Sequence, residues 1–416
     1  MHRVAAAALA LGLGVILPGC TLSRPHYVTP DVRVGEPAFT REIEAQTVSP
    51  VVKGNRAEIL LNGEEIFPAM LEAVRRARTT ITFANFIYED GDIAGRMADA
   101  LAERCRAGVK ANVLLDAVGS SGMPRRYWRE MENAGCTVAW FHSLNPFAIK
   151  RINHRNHRRI LVVDGRIGFT GGTGVGEQWT GDGRRPDHWR QTDVRVEGPI
   201  VLWLQAAFAE NWRDATGTVL GGDAYFPDLQ PRGPLAIQSV KSSPASGAAE
   251  AYLLFRLAID GARSSIYLTN PYFVPDDAMA DALVNAARRG VRVSLLTAGV
   301  AQGVLDRLVR QASRAHFPRA LRAGIKIYEY GPALLHAKTM VVDDRWVSIG
   351  SANLDNRSFA LNNELNLVFQ DRNLARRLID VFRQDLAYAR PLATDDVREG
   401  VDRFFYLPLL PLRDQL

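Results

Sequence analysis

Two segments of the chain carry the same reactive pattern. Asn156-His157-Arg158-Arg159-Ile160-Leu161-Val162-Val163-Asp164 and Leu335-His336-Ala337-Lys338-Thr339-Met340-Val341-Val342-Asp343 each set a histidine and a cation ahead of a β-branched run that ends in aspartate. Residues two apart on a strand share a face, so each histidine and its cation, Arg159 or Lys338, point into the same cavity. Placed face to face, the segments pool two imidazoles and two cations, a set that suits a phosphodiester. One neutral imidazole attacks phosphorus, the other protonates the departing alcohol, and the cations hold the non-bridging oxygens. The second imidazole, now neutral, deprotonates the acceptor that releases the phosphohistidine. This chemistry needs the two histidines in opposite protonation states, and it calls for no metal or other cofactor. Asp164 and Asp343 complete the motifs; at the far ends of their strands they read as structural hydrogen-bond acceptors.

The elements that must position these residues recur in the same order. Residues 66–76 have helical apolar spacing, 80–87 read as a buried strand, 93–107 as an amphipathic helix and 110–116 as a strand. In the second half 251–262, 265–270, 277–288 and 291–297 repeat helix, strand, helix and strand. The interval between the two histidines is too long for a solenoid repeat and right for a duplicated α/β domain. The pattern predicts two similar domains, 56–215 and 248–395, each a mixed β-sheet flanked by helices. A Pro, Gly and Ser-rich stretch, 216–247, reads as the linker between them.

The second motif is followed by Gly350-Ser351-Ala352-Asn353, Asp355, Arg357-Ser358-Phe359 and Asn363-Glu364. This resembles the phospholipase D superfamily, whose members close two such motifs around one active site. Its cardiolipin synthase branch is matched further through Thr269-Asn270-Pro271-Tyr272-Phe273-Val274-Pro275 and Ile327-Tyr328-Glu329-Tyr330. The resemblance runs from about residue 56 to 390. It implies His157 as nucleophile, His336 as general acid and base, Arg159 and Lys338 on the phosphate, and Asn353 as a further oxygen ligand. Glu364 is then the carboxylate that orients a histidine through its second ring nitrogen. The implied activity is a phosphatidyltransferase that joins two phosphatidylglycerol molecules and releases glycerol. A hydrolase using water as acceptor shares the first half-reaction.

Three positions depart from the family pattern, all around the first motif. Arg159 stands where lysine is usual, Gly174 where many members have asparagine, and Gln191 where aspartate is usual as the counterpart of Glu364. Asp193, two residues past Gln191, is the candidate substitute. These changes keep open a weakened enzyme or a non-catalytic lipid-binding protein.

With 416 residues, 47% hydrophobic and 23% charged, the chain has ordinary globular composition, which argues against a largely disordered protein. Beyond the N-terminus no apolar run approaches the roughly 18 residues of a bilayer span. A net charge of +6 favours anionic partners, phospholipid headgroups among them. Arg3 and the apolar run 4–17, ending in Leu17-Pro18-Gly19-Cys20, resemble a bacterial lipoprotein signal, with residues 1–19 removed and Cys20 lipidated. An ordinary cleaved signal and an uncleaved anchor are the other readings. All three put the body outside the cytosol, in the cell envelope at a membrane surface, where nucleic acid is not the expected substrate.

Residues 20–55, rich in proline, read as a tether. Cys105 and Cys136 fall in a helical and a strand-like stretch, too few for a disulfide framework. Lys150, Arg151, Arg155, Arg158 and Arg159 read as a positive rim or a solvated loop. Tyr272 and Phe273 read as channel lining or core. The apolar 396–416 tail reads as docked on the protein or dipped into a membrane.

Overall fold

The computed structural model describes residues 27–142, 153–243 and 249–397. Residues 1–19, Cys20, Lys150, Arg151 and the apolar run 404–412 lie outside them.

The first half runs α1 (Pro37–Thr47), β1 (Val52–Leu61), α2 (Asn62–Arg75), β2 (Thr80–Asn85), α3 (Asp92–Arg106), β3 (Lys110–Asp116), α4 (Arg125–Asn133) and β4 (Thr137–Phe141). Then come β5 (Arg155–Asn156), β6 (Ile160–Val163), β7 (Ile167–Thr170), β8 (Thr192–Glu197) and α5 (Val201–Thr216). After β9 (Leu235–Ser242) the second half follows with α6 (Glu250–Gly261), β10 (Ser265–Thr269), β11 (Phe273–Val274), α7 (Asp277–Arg288), β12 (Arg292–Ala298), α8 (Val304–Arg322) and β13 (Lys326–Tyr330). It closes with β14 (Thr339–Val342), β15 (Trp346–Gly350), β16 (Leu354–Asp355), α9 (Asn356–Ala360), β17 (Asn362–Gln370), α10 (Arg372–Leu386) and β18 (Ala389–Pro391).

The central strands of the two halves repeat each other. β2, β3 and β4 are parallel neighbours, and so are β10, β12 and β13. β2 also pairs antiparallel with β6, and β10 with β14. The hairpins β6–β7 and β14–β15 then lead to β8 and β17. The motif strands Ile160–Val163 and Thr339–Val342 are buried along their whole length, as expected of strands covered by helices on both faces. The covering helices bury one stripe each; α3 buries Ile93, Ala94, Met97, Ala98, Leu101 and Cys105 at three- and four-residue intervals.

The two repeats are not separate sheets. One 16-stranded sheet runs through both, and β17–β9–β1–β8 form its middle. A single apolar cluster spans this seam, with Val194 and Val196 from the first half against Val341, Leu365 and Leu367 from the second.

The stretches expected to be tether and linker therefore contain structure. α1 packs Phe39 and Ile43 into the core of the second half beside Tyr252 and Phe255. The buried i,i+4 pair docks this short helix on that core, with Pro37 in its first turn where the missing N–H costs little. β9 lies inside the 216–247 stretch and buries Ile237, Gln238, Ser239 and Val240 between β1 and β17.

Cys105, at the end of α3, and Cys136, just before β4, form a disulfide with Cα atoms 5.5 Å apart. Spacing alone did not pair them; the turn from α3 through β3 and α4 brings the helix end back to the start of β4. With the cysteines 31 positions apart, loop-closure entropy makes the bridge worth about 3–4 kcal/mol. A Cys105→Ser/Cys136→Ser variant should unfold at correspondingly lower denaturant. An unchanged midpoint would show that the bridge contributes nothing to stability.

Candidate active site

Each motif histidine is suspended from a strand of the opposite half. His157, between β5 and β6, donates its backbone N–H to Asn363 O on β17, 3.0 Å away. His336, ahead of β14, donates in the same way to Arg190 O, 2.8 Å away, just before β8. This crossing closes the two motifs on one buried site: both imidazoles and Lys338 and Arg159 are almost fully excluded from solvent.

The cations occupy matching positions. An Arg159 Nη1 donates to His157 O at 2.5 Å, and Lys338 Nζ donates to His336 O at 2.6 Å. Arg159 thus makes the backbone contact that Lys338 makes, keeps the charge and lies 5.4 Å over the Phe86 ring. Its Nε and Asn353 Oδ1 are buried without partners, a donor and an acceptor still available at the site.

Behind His157 stands Glu364, with Nδ1 2.8 and 2.9 Å from the two carboxylate oxygens. Ser351 Oγ donates to the same carboxylate. Burial works to raise the Glu364 carboxyl, but His157 and Ser351 outweigh it and hold it below the usual range. Burial pushes the His157 imidazole down to about 4, Arg159 adds to that, and Glu364 opposes it. His336 is held well below the ordinary imidazole range by burial, then by Lys338, Arg159 and His157. Burial and the neighbouring Arg159 likewise lower Lys338, and burial brings Arg159 down to about 10. Four basic groups crowded out of water repel one another, so an incoming phosphodiester anion would raise all of them.

Asp164 and Asp343 lie away from this chemistry and do the same job in each half. Asp164 accepts the backbone N–H groups of Arg78, Thr79 and Thr80, and Asp343 those of Arg263, Ser264 and Ser265. Each ties the end of a motif strand to the start of its neighbour. Asp193 does not stand in for the absent aspartate at Gln191. It accepts the N–H of Gly172, and burial lifts its carboxyl to about 6. Gln191 keeps the place of Glu364 by following Arg190 as Glu364 follows Asn363; its Oε1 accepts Thr192 N–H and its Nε2 is buried unpartnered. At Gly174 a Cβ would sit 2.8 Å from the Trp179 ring, so the indole fills the space where an asparagine would stand.

Neither reading of the basic run fits Arg155 or Arg158. Both are buried: Arg155 meets Asp116 at 3.3 Å, and Arg158 makes six hydrogen bonds in the interior. Residue 158 lies between two residues that point into the site, and strand alternation turns it the other way. That period is present in the sequence and is the one signal that could have marked Arg158 as a structural residue. Tyr272 is at the site, its ring 6.5 Å from His336 and its hydroxyl donating to Asp306, while Phe273 packs into the core against Phe317. Trp179 and Trp189 flank His336 with ring centroids at 5.8 and 5.4 Å, which nothing in the spacing announced.

Residues 70–196 and 256–386 each match the family model described as cardiolipin synthase, PLD-like domain. Cardiolipin synthase A of Pseudomonas fluorescens SBW25 is 37% identical over 354 residues, covering 84% of this chain and 72% of its own. The Pseudomonas putida protein of the same name is 36% identical over 351 residues, with the same coverage. Among solved structures, phosphatidylserine synthase of Haemophilus influenzae Rd KW20 superposes with a TM-score of 0.69 at 12% identity, over 91% of this chain and 100% of its own, a likeness of fold.

Proposed function

This chain belongs to the cardiolipin synthase family of phospholipase D-like enzymes and is a phosphatidyltransferase of that type; from that premise we propose that it joins two phosphatidylglycerol molecules into cardiolipin and releases glycerol. The observation that carries the reading is the crossed suspension of His157 and His336, which puts two imidazoles and the cations of Arg159 and Lys338 in one dry pocket.

In that pocket a ring nitrogen of one histidine attacks phosphorus as the bond to the first glycerol breaks, and the other histidine protonates the departing oxygen. Arg159 and Lys338 hold the non-bridging oxygens while charge shifts between them. The second lipid's glycerol hydroxyl then gives up its proton to the now neutral histidine and displaces the phosphohistidine. Exclusion of water from the site favours a lipid hydroxyl over hydrolysis in the second step.

We place the protein at a membrane surface in the bacterial cell envelope, outside the cytosol. The signal-like residues 1–19 with Cys20 support this, and so does the Cys105–Cys136 bridge, a kind of bond that persists in oxidising compartments. Among the described residues no helix is long and apolar enough to cross a bilayer.

The test is to incubate the purified full-length protein with vesicles of radiolabelled phosphatidylglycerol and resolve the products. Cardiolipin with an equal yield of glycerol is expected. Phosphatidic acid as the main product would replace the transferase reading with that of a hydrolase, and no conversion of lipid would overturn both.

A further inference from the structure

The two histidines sit in unlike surroundings. Among the described residues one aromatic ring, Phe86, lies beside His157, with centroids 5.1 Å apart. Three surround His336: Trp179, Trp189 and Tyr272, at 5.8, 5.4 and 6.5 Å. The repeat puts no aromatic residue at the matching places around His157. Gly171-Gly172-Thr173-Gly174 corresponds to Gly350-Ser351-Ala352-Asn353, and the bridge between Tyr88 and Val175 repeats the pairing of Phe273 with Leu354. In that register Ile87 is the counterpart of Tyr272 and Ser358 that of Trp179. The crossed backbone bonds likewise put Asn362 where Trp189 stands.

Trp179 owes its position to residue 174. A Cβ there would come within 2.8–2.9 Å of Cη2, Cζ2 and Cζ3 of the indole, so glycine and tryptophan form one substitution in space. Where the second half offers the Asn353 amide, the first half offers a ring. Trp179 is fully buried, and its centroid is 4.5 Å from that of Trp189. Its neighbours have their polar ends engaged: Trp189 Nε1 donates to Gln302 Oε1 at 2.8 Å, and the Tyr272 hydroxyl to Asp306 at 3.0 Å. The Trp179 Nε1–H is a buried donor with no acceptor in the protein, a deficit that a ligand hydroxyl would relieve.

Displacement at phosphorus is in line, so the leaving oxygen departs on the side opposite the attacking nitrogen. With His157 as nucleophile, as the family resemblance implies, that side belongs to His336. The glycerol that leaves and the glycerol hydroxyl that enters both pass through the aromatic cleft. Resting on the phosphatidyl-transfer reading above, we infer that this cleft is the alcohol subsite and that Trp179 is the residue in it that selects a glycerol hydroxyl over water. Ring faces suit the C–H side of glycerol, the free N–H suits one of its hydroxyls, and the indole fills volume that water would otherwise take. The choice falls in the second step. The acceptor oxygen bonds to phosphorus, its proton passes to His336, and the phosphorus–nitrogen bond to His157 breaks. A hydroxyl of the second phosphatidylglycerol yields cardiolipin, whereas water yields phosphatidic acid.

The test uses the full-length protein and its Trp179→Ala and Trp179→Phe variants on vesicles of radiolabelled phosphatidylglycerol, with the products resolved. A second series adds labelled free glycerol, whose exchange into the lipid headgroup reports occupation of the subsite. Trp179→Ala should raise the ratio of phosphatidic acid to cardiolipin at least about tenfold while total lipid cleavage falls less than about fivefold. Trp179→Phe keeps most of the ring and loses the N–H. Its half-saturating glycerol concentration should rise about tenfold, with the maximal exchange rate changed less than about threefold. A residue that merely packs the interior would lower all products together and leave these two readouts alone. The inference is overturned if the product ratio and the half-saturating concentration stay within about twofold of wild type in both variants, whatever happens to total cleavage. Should Trp179→Ala fail to fold, the glycerol dependence of Trp179→Phe decides by itself. A wild type that makes only phosphatidic acid, or nothing, sinks the transferase reading; a wild type that makes cardiolipin alongside variants of unchanged selectivity sinks the role of Trp179 alone.

Discussion

Replacing either histidine by alanine is expected to lower cardiolipin formation from phosphatidylglycerol by at least about a thousandfold, whichever of the two carries the lipid. A two-step displacement fails if the nucleophile is gone, and with an unactivated glycerol leaving group it nearly fails if the acid is gone. The double variant should be little worse than the worse single one, since groups that act as a unit are not additive. His157→Ala also removes one of the interior partners of Glu364 and leaves it to Ser351, so His157→Gln is the control that fills the space without restoring a proton shuttle. Vesicle binding, measured by flotation, should persist in all of them. Residual turnover within tenfold of wild type in either single variant would mean that the reaction does not pass through this pair.

The largest effect on stability should come from Arg158, which touches no reacting atom. Its guanidinium is fully buried and donates to the carbonyls of Glu364, Ala207 and Ser242, to Asn211 and Ser243, and to the Glu210 carboxylate. These partners belong to β17, to α5, and to the end of β9 and the residue after it, so one side chain fastens both halves to the strand between them. Truncation leaves these acceptors unsatisfied and a carboxylate short of its cation, a loss of about 3–5 kcal/mol. Arg158→Lys keeps the charge but loses the fork and should recover less than half of that. Denaturant unfolding of the three proteins measures it. A cost below about 1 kcal/mol for Arg158→Ala would mean that water replaces the network.

The duplication and the placement of the motif strands were readable because a buried strand between two helices leaves an unmistakable run of apolar residues, as in Ile160-Leu161-Val162-Val163. What escaped was everything that depends on one half meeting the other. β9 looked like linker because the strands that flank it, β1 and β17, are far away in sequence. The same holds for Arg158, whose acceptors are scattered from Ala207 to Glu364. Asp193 was a plausible substitute for an acidic group by face and spacing alone. A strand face gives direction but not reach, and in the fold its carboxylate is taken by Gly172 N–H. The Cys105–Cys136 bridge was hidden for a related reason: only a completed helix-strand-helix excursion brings the two sulfurs together.

Having each histidine hung from the opposite half bears on the history of the molecule. In an ancestor assembled from two identical copies, every mutation behind one histidine would be made behind the other as well. Gln191 and Gly172 could then have arisen only by removing the carboxylate and the serine from both imidazoles at once. Joining the copies into a single gene lifts that constraint, because Glu364 and Ser351 can be kept while their counterparts drift. A matched pair can in this way become a division of labour without ever passing through a form in which neither histidine is supported.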